Sequence, residues 1–140
     1  MTGDTNTGAV GSGVIDYHHK YFRSVENSAN GEVSGRTVFH YREAPSVAPP
    51  AVVWATYRGG SILWGTLTGT KAADGSLSFC YQHVNTEGEL RTGCCESTPA
   101  VLESGLIELR EAWRWTNGDE STGTSVVREF IPRREEVEGL

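Results

Sequence analysis

From residue 14 to residue 131 the chain is built from short runs in which apolar and polar side chains alternate, each bounded by Gly, Asn, Asp or Pro. A period of two marks a strand with one buried face. Eight runs are recognisable: Val14 to Val25, Val33 to Arg42, Ala51 to Arg58, Ser61 to Thr70, Ser76 to Val84, Glu89 to Ser97, Leu106 to Trp115 and Gly123 to Ile131. The connections Arg58-Gly59-Gly60-Ser61, Ala73-Asp74-Gly75-Ser76, Asn85-Thr86-Glu87-Gly88 and Asn117-Gly118-Asp119 supply residues that accept positive φ, as tight hairpins demand. Consecutive runs are therefore expected to pair antiparallel, with no significant helix.

Eight antiparallel strands must bury one face and hide two edges, and closure into a barrel does both. The pattern predicts an all-β fold, a single antiparallel up-and-down β-barrel of about eight strands, with a two-sheet sandwich as the structural alternative. An eight-stranded barrel is either just filled by its side chains or holds one small ligand. The barrel domain is expected over 13–131, between a Gly/Thr-rich leader, 1–12, and a charged tail, 132–140, both read as solvated ends. The stretch Ala44 to Ala51, with three prolines, excludes ladder bonding and reads as a lip over a barrel mouth.

Alternation also assigns faces. Along Leu106 to Trp115 the odd positions Ile107, Leu109, Glu111, Trp113 and Trp115 point inward, against Glu108, Arg110 and Arg114 outside. One carboxylate, Glu111, is thus placed among rings, where an unpaired charge is costly and a raised pKa or a cationic partner is expected. Leu77, Phe79, Tyr81 and His83 share an inward face, as do Val33, Thr37, Phe39 and Tyr41, and Tyr57 follows Val53 and Ala55. The run from Glu89 has two equally mixed faces, and a one-residue slip exchanges Arg91 and Cys95 with Thr92 and Cys94. In the first register Arg91 lies near His83 and is a natural counter-ion for Glu111 or for an anionic ligand. Gly65 and Gly69 remove volume from the inner face of their strand, favouring a bend or a space, of which a bend is the commoner. Trp54 and Trp64 fall outside and suggest a dimer surface.

Charge and composition narrow the function classes. With 12 Lys+Arg against 18 Asp+Glu the net charge is -6, which repels phosphate backbones, so nucleic acid is not expected as a partner. No apolar run approaches the ~18 residues of a membrane span, and the opening residues lack the basic and apolar regions of a signal peptide, so a cytoplasmic setting is expected. Three cysteines, two of them adjacent, are unlike a secreted disulfide framework; Cys80 lies within reach of Cys94 or Cys95, but reduced thiols are the default. No metal site is expected: the cysteines lack further ligands at suitable spacing, and His18 and His19 would point to opposite faces of a strand.

The segments YFRSVENSANGEVSG, TVFHY, VVWATYRGGSILWGTLTG, YQHVNTEGELRTG and EAWRWTNGDESTGTSVV together resemble a family of small bacterial proteins labelled N-acetylglutamate synthase, over roughly residues 21 to 130. That resemblance implies a small lipocalin-like or calycin-like barrel. It does not bring an acetyltransferase with it, because such an enzyme needs a glycine-rich turn opening a helix to hold the pyrophosphate of acetyl-CoA.

The expected function is therefore a barrel enclosing a small apolar or aromatic organic molecule without a cofactor. Tyr41, Tyr57, Phe79, Arg91, Trp113 and Trp115 are the candidate ligand contacts. If the barrel catalyses a reaction, a cofactor-free isomerase or cyclase is implied, with Glu111 as the acid or base, Arg91 or Tyr81 as the oxyanion partner and His83 as a proton shuttle or hydrogen-bonding group. Cys95 as a nucleophile would need an activating base. The alternative is a filled barrel that serves as a structural module and self-associates as a homodimer.

Overall fold

The computed structural model describes residues 15–45 and 50–140; the leader 1–12 and the centre of the proline-rich stretch, 46–49, lie outside the described residues. Eight strands follow one another: β1 (Lys20–Asn27), β2 (Val38–Glu43), β3 (Ala51–Gly59), β4 (Ile62–Lys71), β5 (Leu77–Asn85), β6 (Leu90–Val101), β7 (Ile107–Trp115) and β8 (Thr122–Glu129). Each pairs antiparallel with the next, and β1 pairs with β8, so the sheet closes into an up-and-down barrel without an edge. A four-residue helix, α1 (Arg134–Val137), follows the last strand.

Two runs are shorter as strands than alternation suggests. The first strand begins at Lys20 because His18 and His19 form a turn in which His19 takes φ 57°. The second begins at Val38 because residues 28–37 form an ordered loop across one end of the barrel. Val33, predicted on the inner face of a strand, thus belongs to that loop. The tail is not free: Leu140 is buried, and its carbonyl accepts hydrogen bonds from Arg42 at 2.8 Å and meets His40 at 3.2 Å. This contact covers His40 on the outer face of β2.

Register shows how the interior accommodates so many rings. Tyr57 lies opposite Gly65, Phe79 opposite Gly69, Tyr81 opposite Gly93 and Trp113 opposite Gly123. A Cβ at Gly65, Gly93 or Gly123 would stand 2.2–2.3 Å from the partner ring or its hydroxyl, so each aromatic side chain lies across the bare backbone of the neighbouring strand. Gly65 and Gly69 thus serve neither as a bend alone nor as empty space; they seat Tyr57 and Phe79.

The two ends of the barrel differ. Tyr17, Phe22 and Tyr41 form a cluster with ring centroids 5.2–6.5 Å apart, and the Tyr17 hydroxyl donates to the Gly75 carbonyl at 2.7 Å in the β4–β5 hairpin. With Leu77, Leu109 and Val127 they fill this end. The opposite end, framed by the connections after β1, β3, β5 and β7, carries the polar groups.

The cysteines differ from the expectation of reduced thiols. Cys80 and Cys94 face each other across the β5–β6 ladder and form a disulfide on the outer surface, while Cys95 is a buried free thiol on the inner one. Adjacent cysteines alternate faces, so only one of them can reach Cys80. Bridged pairs persist in oxidising compartments, which removes the support that free thiols lent to a cytoplasmic setting. No helix among the described residues is long and apolar enough to cross a membrane.

Candidate functional site

Toward the polar end the barrel interior leaves a cavity of about 50 Å³. One water occupies ~10–15 Å³ on this measure, so the space holds a few waters or a slender ligand group. Phe39, Tyr57, Phe79, Tyr81, Trp113 and Trp115 supply the aromatic part of its wall; Phe39 stacks on Tyr57 with centroids 4.7 Å apart, and the Phe79–Tyr81, Tyr81–Trp115 and Trp113–Trp115 pairs meet edge-on.

Glu111 reaches the cavity from β7. Register places it between Ser97 of β6 and Ser125 of β8, and both serine hydroxyls donate to it, Ser97 to Oε2 at 3.1 Å and Ser125 to Oε1 at 2.8 Å. Burial raises the carboxyl from 4.5 to about 7, against the opposing pull of the two serine donors. Arg91, expected as its counter-ion, is not its partner. The charge is managed by a raised pKa and two neutral hydroxyls instead.

Arg91 is engaged at the mouth. Its Nη1 lies 2.7 Å from Oε2 of Glu32, its guanidinium carbon lies 4.0 Å from the Trp115 ring centroid, and its Nη2 is 4.0 Å from exposed Asp119. The other Glu32 oxygen, Oε1, meets Nε2 of His83 at 2.8 Å, and Asn85 Nδ2 lies 3.3–3.4 Å from the same carboxylate. Nδ1 of His83 is 2.9 Å from the Tyr57 hydroxyl. Burial lowers the His83 pKa, outweighing the nearby carboxylate. The neutral Nε2–H tautomer satisfies both contacts: Nε2–H donates to Glu32, and Nδ1 accepts from Tyr57.

Glu32 is the residue that alternation could not find, since it sits in a loop without periodicity. The loop is pinned across the barrel end. Ser28 Oγ donates to the Thr124 carbonyl at 2.9 Å, Asn30 Nδ2 donates to Ser121 Oγ at 2.9 Å, and Trp115 Nε1–H donates to the Asn30 carbonyl at 3.1 Å. Asn27 donates to the Val33 carbonyl, while its Oδ1 is buried without a partner. Gly31, Glu32 and Val33 therefore form part of the cavity wall.

Of the candidate residues, Tyr57, Phe79, Tyr81, His83, Glu111, Trp113 and Trp115 line this one space. Tyr41 does not line it; this ring is wholly buried in the cluster at the filled end. Arg91 faces inward in the register that pairs it with His83, yet stands at the mouth beside Glu32. Cys95 lines the cavity, but burial pushes its thiol up, away from the thiolate form, and its polar contact is Ser97 Oγ at 3.7 Å rather than a base. His18 and His19 are exposed, and no group of three metal-ligating side chains occurs among the described residues.

No match is found among curated proteins or among solved structures. The closed eight-stranded barrel agrees with a family comparison: the model described as avidin-like protein matches residues 15–130, and the chain belongs to that family.

Proposed function

We propose that this protein binds a small organic molecule, largely apolar or aromatic, inside the barrel, with the rings as its walls and Glu111 as its polar anchor. The observation that carries this reading is the ring-lined interior space itself. Side chains that could have packed solid leave about 50 Å³ open beside a carboxyl group. Membership of an avidin-like family supports small-molecule binding, and Phe39, Tyr57, Phe79, Tyr81, Trp113 and Trp115 provide the apolar contact area such sites use.

A reaction at the same site is favoured by one further observation. A carboxyl group held near 7 exchanges its proton close to neutral pH, which suits an acid or base in a cofactor-free isomerisation or cyclisation. Tyr81 and His83 then serve as hydrogen-bonding partners of the reacting molecule. The rival reading, a filled module that self-associates, draws on an exposed apolar strip formed by Leu63, Trp64, Val84 and Leu90.

Trp113 and Trp115 line the cavity while Trp64 is exposed, so intrinsic fluorescence reports on the interior. Titration with small aromatic and alicyclic molecules is expected to give saturable changes that shrink in Trp113→Phe and persist in Trp64→Phe. Saturable signals that follow Trp64 instead would place the binding on the outer surface and overturn the proposal. For the catalytic reading, Glu111→Gln must abolish turnover of any substrate the screen reveals.

A further inference from the structure

Three donors converge on the Glu32 carboxylate: the Arg91 guanidinium at 2.7 Å, the His83 Nε2–H at 2.8 Å and the Asn85 amide at 3.3–3.4 Å. Such a convergence of one fixed cation and two neutral donors is the chemistry of a carboxylate-binding site. All three donors come from the rigid barrel, two from β5 and one from β6. The acid comes from a loop, flanked by Gly31 and Gly35, and pairs with no ladder.

The cradle is continuous with the cavity. Arg91 rests on Trp115 and His83 bonds to Tyr57, and His83, Tyr57 and Trp115 all line the interior space. A carboxylate held by Arg91 and His83 therefore has apolar rings directly below it. The docked loop is also incompletely satisfied, since Asn27 Oδ1 is buried without a partner beneath Gly31. With the loop in place the space of about 50 Å³ is about a third of a ~150 Å³ cavity known to hold benzene.

We propose that the barrel mouth is a carboxylate site occupied by the chain's own Glu32, and that the ligand is a small aryl carboxylate. Its acid group displaces Glu32, and its ring enters between Phe79, Trp113 and Trp115. This inference rests on the reading that the interior binds small molecules. Glu32 acts as an internal competitor that closes the empty barrel and keeps Arg91 paired. Asp119, at 4.0 Å and exposed, holds Arg91 too weakly to replace it, and Glu89, which accepts from Asn85 at 2.9 Å, orients that amide from the outside.

The test uses phenylacetate and its neutral isostere phenylacetamide, titrated calorimetrically into the wild-type protein, Glu32→Ala and the double variant Glu32→Ala/Arg91→Gln. Removing the competitor raises the fraction of open sites, so Glu32→Ala is expected to bind phenylacetate at least about 10-fold more tightly than wild type. Both probes share the gain in open sites, so Glu32→Ala is expected to keep a preference for phenylacetate over phenylacetamide set by the Arg91 contact, and the double variant is expected to lose that preference. Glu32→Gln, which retains neutral contacts to the cradle, should show the same rise in smaller measure and serves if the alanine variant does not fold. Equal binding of both probes by Glu32→Ala overturns the carboxylate site while leaving the interior binding reading intact. Binding of neither probe by any form overturns both.

Discussion

Replacing Glu111 by glutamine should flatten the pH dependence of folding stability in one defined window. In the folded barrel this carboxyl holds its proton up to about 7, whereas in the unfolded chain it releases it near 4.5. Between those values the folded state binds more protons than the unfolded state, so the contribution of Glu111 is fully present below 4.5 and is lost as pH rises through 7. The gap corresponds to roughly 3 kcal/mol, with Ser97 and Ser125 supplying the donors that hold it to that size. His83 acts in the opposite sense. Its pKa is lowered by burial, so the unfolded chain takes up a proton first and stability falls as pH drops through the ordinary imidazole range near 6.5. The two slopes overlap, and a pH profile of the wild type alone cannot separate them. The difference between wild type and Glu111→Gln does, because His83 is common to both. Urea unfolding at half-unit steps from pH 4 to 8 should show the variant gaining on wild type by about 3 kcal/mol across the window. Parallel profiles would refute the placement of Glu111 as a carboxyl without a cationic partner.

Gly65→Ala and Gly93→Ala should each cost about 1–3 kcal/mol, because the new Cβ would stand 2.2–2.3 Å from Tyr57 or Tyr81, and overpacking of this kind forces rings off their rotamers. Gly35→Ala, whose Cβ would meet Ser24 O at an ordinary 3.5 Å, is the control expected to leave the urea midpoint nearly unchanged. Cys80→Ser opens a covalent loop of 14 residues and should lower stability by about 3 kcal/mol, equal to the effect of a reductant on the wild type and with no further effect of reductant on the variant.

The barrel was legible because strand period and turn chemistry agree along most of the chain. The inward placement of Glu111 follows from five alternating positions in β7, and the hairpins after β3, β4, β5 and β7 announce themselves by glycine. Arg91 was ambiguous for a physical reason: both faces of its strand mix polar and apolar residues, and the register is set by the partners, Gly93 against Tyr81 and Cys94 against Cys80. Glu32 was invisible, since loop residues carry no period and its partners lie 51 to 59 positions away in sequence. Tyr41 was misassigned to the cavity because alternation gives the face of a residue and not its height along the barrel, and Tyr41 stands with Tyr17 and Phe22 at the filled end.

The two carboxylates at the site are held in physically different ways, and this decides what each can control. Glu111 sits on a strand inside a closed ladder, satisfied by two serine hydroxyls from the adjoining strands, so it cannot leave its position without breaking the barrel. It therefore shapes what the interior accepts, through a protonation state that varies near neutral pH. Glu32 sits on a loop, held by side-chain contacts and a few backbone acceptors at the rim, so it can be exchanged without loss of a strand pair. Its effect is on how much of the protein is open. Under the proposed displacement, substitutions at Glu111 should alter intrinsic affinity and its pH dependence. Substitutions at Glu32 should scale the apparent affinity by the open fraction.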